Sequence, residues 1–326
     1  MPFASSFIIY LFGCIGCQSC QPQIVPPDNP DNQPEPSSED TDTAELDDTG
    51  DTGLAEAPPC PIMEIEPNDN YDEAQVVFLE KWICGDYDTD FDLDNYGFQF
   101  PEDEGWLKVW GRAQSVGSLS DILITLDQGS NTAVSFAQIG TTDPMMVVPV
   151  TNEEVLYATI YDQYGGYGDN NYYEMIISQV KPPIEWNRIE NDDIGNNNSP
   201  AGAEGVADGD RIFGTASTNF DTDWFTFTVA EGESIQVTVE LTAFAEGSPM
   251  DPIVYLYDDR IFTDSDAPYR AVRNNQTGEN VNLDPILRYT VSQAGDWGIL
   301  VMNNGPGGSD FHWYVVDISL EATAAE

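Results

Sequence analysis

The chain is poor in positive charge. Its 326 residues include 10 Lys and Arg against 58 Asp and Glu, with a single histidine, so the formal net charge is −48. Nucleic acids and anionic lipid surfaces are bound through cationic side chains. The composition therefore argues against both classes of partner, and cations are the natural ligands of such a chain.

The common catalytic motifs are also missing. The sequence has no Gly-x-Ser-x-Gly elbow, no His-Glu-x-x-His pair and no phosphate-binding loop. His312 lies in the aromatic run Phe311–Tyr314, where we expect a structural or surface role. We therefore expect that the protein is not an enzyme. Paired carboxylates of the kind that glycosidases use stay an alternative, because acids occur throughout the chain.

No apolar run reaches the roughly 20 residues that span a bilayer as a helix. Residues 3–16 suit the core of a signal peptide, although no Lys or Arg precedes Lys81. The run ends in Leu11-Phe12-Gly13-Cys14, which resembles a bacterial lipobox. The resemblance implies a lipid on Cys14 and a place in the cell envelope, at the outer membrane or cell surface. We take residues 1–20 as this region, with plain secretion as the alternative.

Residues 21–60 are predicted to be a disordered acidic linker. From Asp28 to Glu56 there are eleven carboxylates and no Lys or Arg, among Pro, Ser, Thr and Gly. Such a composition cannot bury enough apolar surface to offset its chain entropy, and its charges repel one another. The segment is expected to act as a tether.

Two of the five cysteines belong to the part of the chain that is predicted to fold. Cys17 and Cys20 fall in the flexible stub, whereas Cys60 and Cys84 lie at the start of the first module. In an oxidising compartment these two can form a disulfide. Closing such a loop stabilises by about 3 kcal/mol in the chain-entropy model. A pair of free thiols is the alternative.

An internal repeat organises the remaining chain. The segment Phe91–Phe98 returns 129 positions later, without a gap, as Phe220–Phe227. In both copies acids at alternate positions lead into alternating aromatics, which is typical of an acidic turn followed by a half-buried strand. The alternation predicts four rings in the cores of the two modules: Tyr96, Phe98, Phe225 and Phe227.

Both modules show many short β-branched or aromatic segments separated by Gly, Asn and Asp, and no strong helical pattern. The predicted fold is all-β, with two tandem jelly-roll-like β-sandwich domains at residues 61–181 and 184–321. Lys181-Pro182-Pro183 marks the junction, since proline cannot extend a ladder. We expect few contacts across it and a monomeric protein.

The first module contains a distinctive set of short motifs: Glu64-Ile65-Glu66-Pro67-Asn68-Asp69, Ala74, Gly85 and the spacing Asp92-x-Asp94-x-Tyr96-x-Phe98. This set resembles the bacterial pre-peptidase C-terminal (PPC) domain. The segments Asp223–Phe227 and Ala294–Trp297 are similar to the same family's middle strand and late turn. The resemblance implies a non-catalytic, jelly-roll-like sandwich attached to secreted proteins, with relatives in collagenases that bind calcium and collagen.

Calcium is the ligand that these acids favour. It takes six to eight hard oxygen ligands, and alternate carboxylates of an extended segment project to one side. Glu64 and Glu66 can therefore share one ion with Asn68 or Asp69. By analogy with calcium-binding relatives, the acidic turn would complete the site with Asp90, Asp92 and Asp94. The alternative is that these acids cap turns and stay solvated.

The second module is predicted to hold a weaker version of the site. Its candidate ligands are Glu190, Asp192, Asp193, Asp221 and Asp223. By our alignment Arg188 replaces Glu64 and Asn219 replaces Asp90, and the cation should weaken binding.

The predicted function is a surface-anchored binding or adhesion module that calcium stabilises, with an extracellular protein or polysaccharide as its ligand. Exposed tyrosines in a Gly-rich loop, Tyr161, Tyr164 and Tyr167, are candidate ligand contacts, unless the loop only covers a core edge. A structural spacer without a ligand and a carboxylate-based hydrolase are the alternatives.

Overall fold

The structure is a computed structural model that describes residues 60–135, 143–191, 197–274, 283–305 and 307–323. The lipidation candidate Cys14 and the predicted signal and linker segments up to residue 59 lie outside the described residues. Within the described ranges, no helix is long and apolar enough to cross a bilayer.

Twenty strands and four short 3-10 turns account for the regular structure of the described residues. The first ten strands are β1 (Ile62–Met63), β2 (Gln75–Val76), β3 (Trp82–Asp86), β4 (Asp94–Phe98), β5 (Glu104–Arg112), β6 (Ile122–Gln128), β7 (Asn131–Ser135), β8 (Met145–Thr151), β9 (Leu156–Asp162) and β10 (Tyr172–Val180). The next ten are β11 (Arg188–Ile189), β12 (Glu204–Gly205), β13 (Arg211–Thr215), β14 (Thr222–Val229), β15 (Ile235–Thr242), β16 (Pro252–Tyr257), β17 (Ala271–Arg273), β18 (Ile286–Val291), β19 (Gly295–Asn303) and β20 (Trp313–Ala322).

The strands form two β-sandwiches, each of two five-stranded sheets. In the first sandwich the front sheet has the order β1-β3-β10-β5-β8 and the back sheet β2-β4-β9-β6-β7. In the second sandwich the front sheet has the order β11-β13-β20-β15-β18 and the back sheet β12-β14-β19-β16-β17. The two sets correspond strand for strand, so the sequence repeat is a repeat of topology. The predicted all-β fold with two sandwiches is confirmed.

The aromatic strand after each acidic turn lies at the centre of its sandwich. Tyr96 and Phe98 on β4 are buried in the first core, and Phe225 and Phe227 on β14 are buried in the second. The predicted facing of these four rings is confirmed. Trp224 faces the other way as expected, but it is also buried, under Ile261 and Leu300.

The two sandwiches share an apolar cluster, which we call the Trp cluster. Its buried members are Trp106 and Val147 from the first front sheet and Trp313 and Val315 from the second. The Trp106 and Trp313 rings meet edge to face at 5.2 Å. Partly buried side chains surround them, from strands and from the connecting segment: Val180, Ile184, Trp186 and Phe213.

Hydrogen bonds accompany this apolar contact. The indole Nε1 of Trp313 donates to the carbonyl of Val147 at 2.6 Å, and the Val147 N–H donates to the carbonyl of Gly247 at 2.8 Å. Phe311, from the loop before β20, is fully buried in the core of the first sandwich. The expectation of few contacts across the junction is therefore wrong, and the described residues from Cys60 onward form one compact unit.

Strand β10 does end before the prolines of the junction. However, Ile184 and Trp186 in the connecting segment then pack against the Trp cluster. Large aromatics at outward positions of β5, β13 and β20 provide the contact surface. In sequence these residues look like ordinary members of alternating strands.

Candidate metal centre

The short parallel strand β1 brings Glu64 to the end of β3. Ile62 and Met63 pair with Ile83 and Cys84, and the Glu64 N–H continues the ladder by donating to the carbonyl of Cys84 at 2.9 Å. A disulfide joins Cys60 to Cys84, with an S–S distance of 2.00 Å. The backbone ahead of Glu64 is thus held both by hydrogen bonds and by a covalent bond.

Three carboxylates meet at this point. Glu64, Glu66 and Asp94 each place an oxygen within 4.8 Å of the others. Asn68 joins them, since its Nδ2 donates to Oε1 of Glu64 at 3.0 Å and its N–H donates to Oε2 of Glu66 at 3.0 Å. The second Glu64 oxygen accepts the N–H of Asp86 at 3.0 Å. Of the seven residues predicted for this site, the structure brings these four together, and their binding of a metal ion stays a prediction.

Several oxygens of this cluster are buried without a hydrogen bond of ordinary geometry among the described residues. Both carboxylate oxygens of Asp94 and Oδ1 of Asn68 are in this state, although the Glu64 carboxyl and the Tyr173 hydroxyl lie near Asp94. The side chains of Asp94 and Asn68 are fully buried. A buried polar atom that lacks a partner costs about 1–3 kcal/mol, and an ionised one costs more. A cation in their midst would remove that cost.

The electrostatics of the cluster agree with its geometry. Burial, followed by the neighbouring Glu64, raises the pKa of Asp94 to about 11. Burial, followed by repulsion from Glu64, raises the pKa of Glu66 to about 7. These are the shifts expected when carboxylates are crowded together with no positive charge beside them. A bound cation reverses both causes.

The other predicted acids of the first module lie around this cluster or apart from it. Asp92 caps the acidic turn, since its Oδ2 accepts the N–H of Asp88 at 2.7 Å. Asp69 lies beside Asp92 and contributes to raising its pKa, of which burial is the main cause. Asp90 is exposed and lies against Gly165 in the β9–β10 loop, outside the three-carboxylate cluster.

The second sandwich has a corresponding cluster of Glu190, Asn197 and Asp223. Glu190 occupies the position of Glu64, because its N–H donates to the carbonyl of Phe213 on β13 at 2.9 Å. Asn197 occupies the position of Asn68, and its Nδ2 donates to Oδ1 of Asp223 at 3.0 Å. Sequence alignment missed Asn197, because the connection from Glu190 to Asn197 is longer than that from Glu64 to Asn68.

Our alignment of Arg188 with Glu64 is wrong. Arg188 pairs with Ile212 on β13, the position that Ile62 holds on β3. Its guanidinium is paired with Glu204 and Asp210 on the surface, so it does not replace a ligand. Asp192 and Asp193 lie outside the described residues. Asp221 caps its turn by accepting the Ser217 N–H at 2.8 Å, as Asp92 does in the first sandwich.

The two clusters differ in the hydrogen-bond partner of an equivalent buried tyrosine. In the first sandwich the hydroxyls of Tyr173 and Tyr96 are hydrogen-bonded to each other. In the second sandwich Phe225 stands in place of Tyr96, and the equivalent tyrosine, Tyr314, donates to Oε2 of Glu190 at 2.6 Å. The other Glu190 oxygen accepts the N–H of Thr215 at 2.6 Å. Both glutamates therefore accept hydrogen bonds from the protein at both oxygens. The difference is that a buried tyrosine hydroxyl is one of the donors in the second cluster.

Glycine is required beside each cluster. A side chain at Gly85 would collide with the Tyr173 hydroxyl and the Glu64 carboxylate. One at Gly214 would collide with Glu190 and Tyr314 in the same way. The sequence repeat had aligned these two glycines, and the close approach of glutamate and tyrosine is the physical reason for them.

The single histidine is buried and lies beside a serine hydroxyl. His312 is 5% exposed, and its Nδ1 lies 3.1 Å from Oγ of Ser309. Ser309 Oγ donates in turn to the carbonyl of Thr132 in the first sandwich at 3.1 Å. Burial lowers the pKa of His312 to about 4. The side chain is therefore neutral at pH 7 and inaccessible to a substrate.

Comparison with known proteins yields only distant similarities. No protein-family model matches the chain, and no curated protein matches it. Among solved structures, it is similar to the pre-peptidase C-terminal domain of a collagenase from Bacillus anthracis, with 18% identity over 38% of this chain and 100% of that chain, at a TM-score of 0.25. The tandem CBM51 modules of a family 98 glycoside hydrolase from Streptococcus pneumoniae are 9% identical over 76% of this chain and 85% of that chain, at a TM-score of 0.25. Similarity at this level assigns no function.

Proposed function

We propose that the chain is a non-catalytic extracellular binding module whose first sandwich is stabilised by one calcium ion. The observation that carries the proposal is the convergence of the fully buried Asp94 side chain with the carboxylates of Glu64 and Glu66. Glu64, Glu66, Asp94 and Asn68 would hold the ion through hard oxygen atoms. The ion would supply the positive charge that the cluster lacks.

The arrangement suits calcium better than the alternatives. The four side chains offer carboxylate and amide oxygens only, which are the donors that calcium prefers to nitrogen or sulfur. Four residues leave room for water in a coordination shell of six to eight oxygens. The second cluster is a weaker candidate, because Tyr314 donates to Glu190 and no third carboxylate joins Glu190 and Asp223 among the described residues.

A carboxylate-based hydrolase fits the same residues poorly. Paired glycosidase carboxylates flank the scissile bond at about 5–5.5 Å or about 6.5–9.5 Å, with space between them for a sugar or water. Here the carboxylate oxygens lie within 4.8 Å of one another, and Asp94 is fully buried. This spacing is tighter than that of either kind of glycosidase pair.

The proposal also includes attachment to the cell envelope through Cys14, and a ligand that is an extracellular protein or polysaccharide. Tyr164 and Tyr167 in the β9–β10 loop are 74% and 59% exposed, whereas Tyr161 is partly buried on β9. The first two are therefore the tyrosines available to a ligand. A spacer without any ligand remains the competing function.

The calcium test is a melting experiment on the full chain. With a dissociation constant of about 10⁻⁴ to 10⁻³ M, as in extracellular modules, about 1 mM calcium adds about 0.4–1.4 kcal/mol by mass action. We expect a rise of a few degrees in Tm relative to chelator. Asp94→Asn should abolish the rise and melt close to the wild type in chelator, because the raised pKa of about 11 makes the Asp94 carboxyl neutral at pH 7, like the amide that replaces it.

The matched control is Asp223→Asn in the second sandwich, which should keep the calcium-dependent rise. Identical melting curves of the wild type in calcium and in chelator, with no heat of binding by calorimetry, would remove the calcium site from the proposal.

A further inference from the structure

A cleft of about 670 Å³ opens beside the Trp cluster, between the two sandwiches. One wall is aromatic, formed by Trp106, Trp186 and Phe213. Trp186 and Phe213 stack at 4.6 Å, and Trp186 lies 6.2 Å from Trp106. Both Trp186 and Phe213 are only partly buried, so ring surface is open to the cleft.

The rim of the cleft is acidic. It carries four carboxylates: Glu104, Glu153, Glu154 and Asp310. Among the described residues, no Lys or Arg lines the cleft and no ion pair involves these four acids. A positive charge that complements them must therefore come from another molecule.

The rim is held in place by hydrogen bonds. The buried Gln128 amide joins the two turns of this edge by donating to the Thr151 carbonyl at 2.6 Å, and its oxygen accepts the Thr151 N–H. Asp310 accepts from Nδ2 of Asn131 at 3.2 Å, across the two sandwiches. These bonds fix the backbone of the rim and the Asp310 side chain beside the rings, whereas the side chains of Glu104, Glu153 and Glu154 are exposed. A rigid rim lowers the entropic cost of binding.

Aromatic faces and carboxylates together select an organic cation. A guanidinium is planar, stacks on indole and phenyl rings, and binds carboxylates through two parallel hydrogen bonds. The same protein shows this combination internally, since the guanidinium of Arg112 lies 4.1 Å from the Trp82 ring centre and is paired with Glu174.

We propose that the inter-sandwich cleft binds arginine side chains of a basic partner protein. The inference rests on the proposed binding role and narrows its ligand to protein. The arginine stacks on Trp186 while Glu153, Glu154 and Glu104 neutralise it. This site is separate from the calcium cluster on the first sandwich, so the two are tested independently.

The test uses the full chain and end-blocked tetraarginine, tetralysine and tetraglutamate peptides in isothermal titration calorimetry. About 0.15 M salt limits long-range attraction to the net charge to about 8 Å. We expect tetraarginine to bind severalfold more tightly than tetralysine, because only a guanidinium stacks and forks. Tetraglutamate should not bind.

Variants locate the binding. Trp186→Ala should weaken tetraarginine binding about tenfold, and Glu153→Gln/Glu154→Gln should weaken it comparably. The matched control, Glu231→Gln/Glu233→Gln, removes the same charge from a turn outside the cleft and should bind like the wild type. Trp186 also packs against the Trp cluster. If Trp186→Ala is unstable for that reason, the Glu153→Gln/Glu154→Gln variant alone decides whether the cleft binds tetraarginine.

Equal affinity in the wild type and the Glu153/Glu154 variant, equal losses in this variant and the control, or no tetraarginine binding would each overturn the cleft. A calcium-dependent rise in Tm alongside any of these results would leave the calcium part of the proposed function standing. Loss of the calcium effect with the peptide results intact would do the reverse.

Discussion

The two sandwiches have the same strand order, but the corresponding glutamates, Glu64 and Glu190, have different hydrogen-bond donors. In the first, Tyr173 is paired with Tyr96, and Glu64 accepts from Asn68 and Asp86. In the second, Phe225 offers no hydroxyl, and Tyr314 bonds to Glu190 instead. The hydroxyl of Tyr96, which Phe225 lacks, therefore decides whether the equivalent buried tyrosine bonds to another tyrosine or to the glutamate of the acidic cluster. A fold repeat does not imply a repeated site.

The largest expected effect concerns whether the sandwiches unfold separately. Phe98→Ala and Phe227→Ala each remove a buried ring, which typically costs about 3–5 kcal/mol. Because Phe311 of the second sandwich lies in the first core and the Trp cluster is shared, we expect one common calorimetric transition, lowered in both variants.

Phe91→Ala and Phe220→Ala are the matched controls for this experiment. These phenylalanines occupy the acidic turns with φ of 60° and 69° and are 67% and 91% exposed. Their truncation should change stability by about 0.5 kcal/mol or less. Two resolved transitions, of which only the mutated sandwich shifts, would contradict coupling through the Trp cluster.

Acid should weaken the second sandwich and its contact with the first through His312. Its pKa is about 4 in the folded chain against an ordinary value of 6.5, so the unfolded chain binds the proton more readily. Stability contributed by the neutral histidine is complete above pH 6.5 and is lost as pH falls towards 4. The loss approaches about 3 kcal/mol.

The measurement is denaturant unfolding at several pH values, for the wild type and for His312→Asn. The difference in unfolding free energy between the two proteins should change between pH 6.5 and 4 and stay constant above pH 7. The comparison is clean because the chain has one histidine. A difference that is independent of pH would show that His312 is solvated.

The tyrosine pair offers a smaller and more local test. Tyr96→Phe leaves the buried Tyr173 hydroxyl without this partner, which should cost about 1–2 kcal/mol in chelator. Tyr96→Phe/Tyr173→Phe removes both hydroxyls and should cost less than the sum of the single changes. Additive losses in this double-mutant cycle would mean that the two hydroxyls do not interact.

Much of the fold was readable from local patterns. Alternation placed Tyr96, Phe98, Phe225 and Phe227 in the cores, because the strand period of two separates the faces of a sheet. The Glu64, Glu66 and Asp94 convergence followed from a family resemblance and is present in the structure. These features depend on short segments whose geometry the backbone dictates.

Features that depend on distant segments escaped prediction. Asn197 was missed because an insertion shifts it relative to Asn68, and Arg188 was misaligned because β11 has only two residues to set its register. The Trp cluster was missed because outward aromatics on a strand carry no sign of what covers them. The prolines at the junction correctly predicted that the strand ends there. They did not predict the contacts between the two sandwiches.

The disulfide between Cys60 and Cys84 has a mechanical consequence. Force applied to the chain ahead of Cys60 passes through the covalent bond into β3, which is paired on both sides, with β1 and β10. The two-residue strand β1 would otherwise be the first to peel away. The metal candidates Glu64, Glu66 and Asn68 lie inside the closed loop of residues 60–84 and are thereby shielded from load. Pulling on the oxidised chain should leave calcium affinity unchanged, whereas the reduced chain should lose the site at the lowest forces.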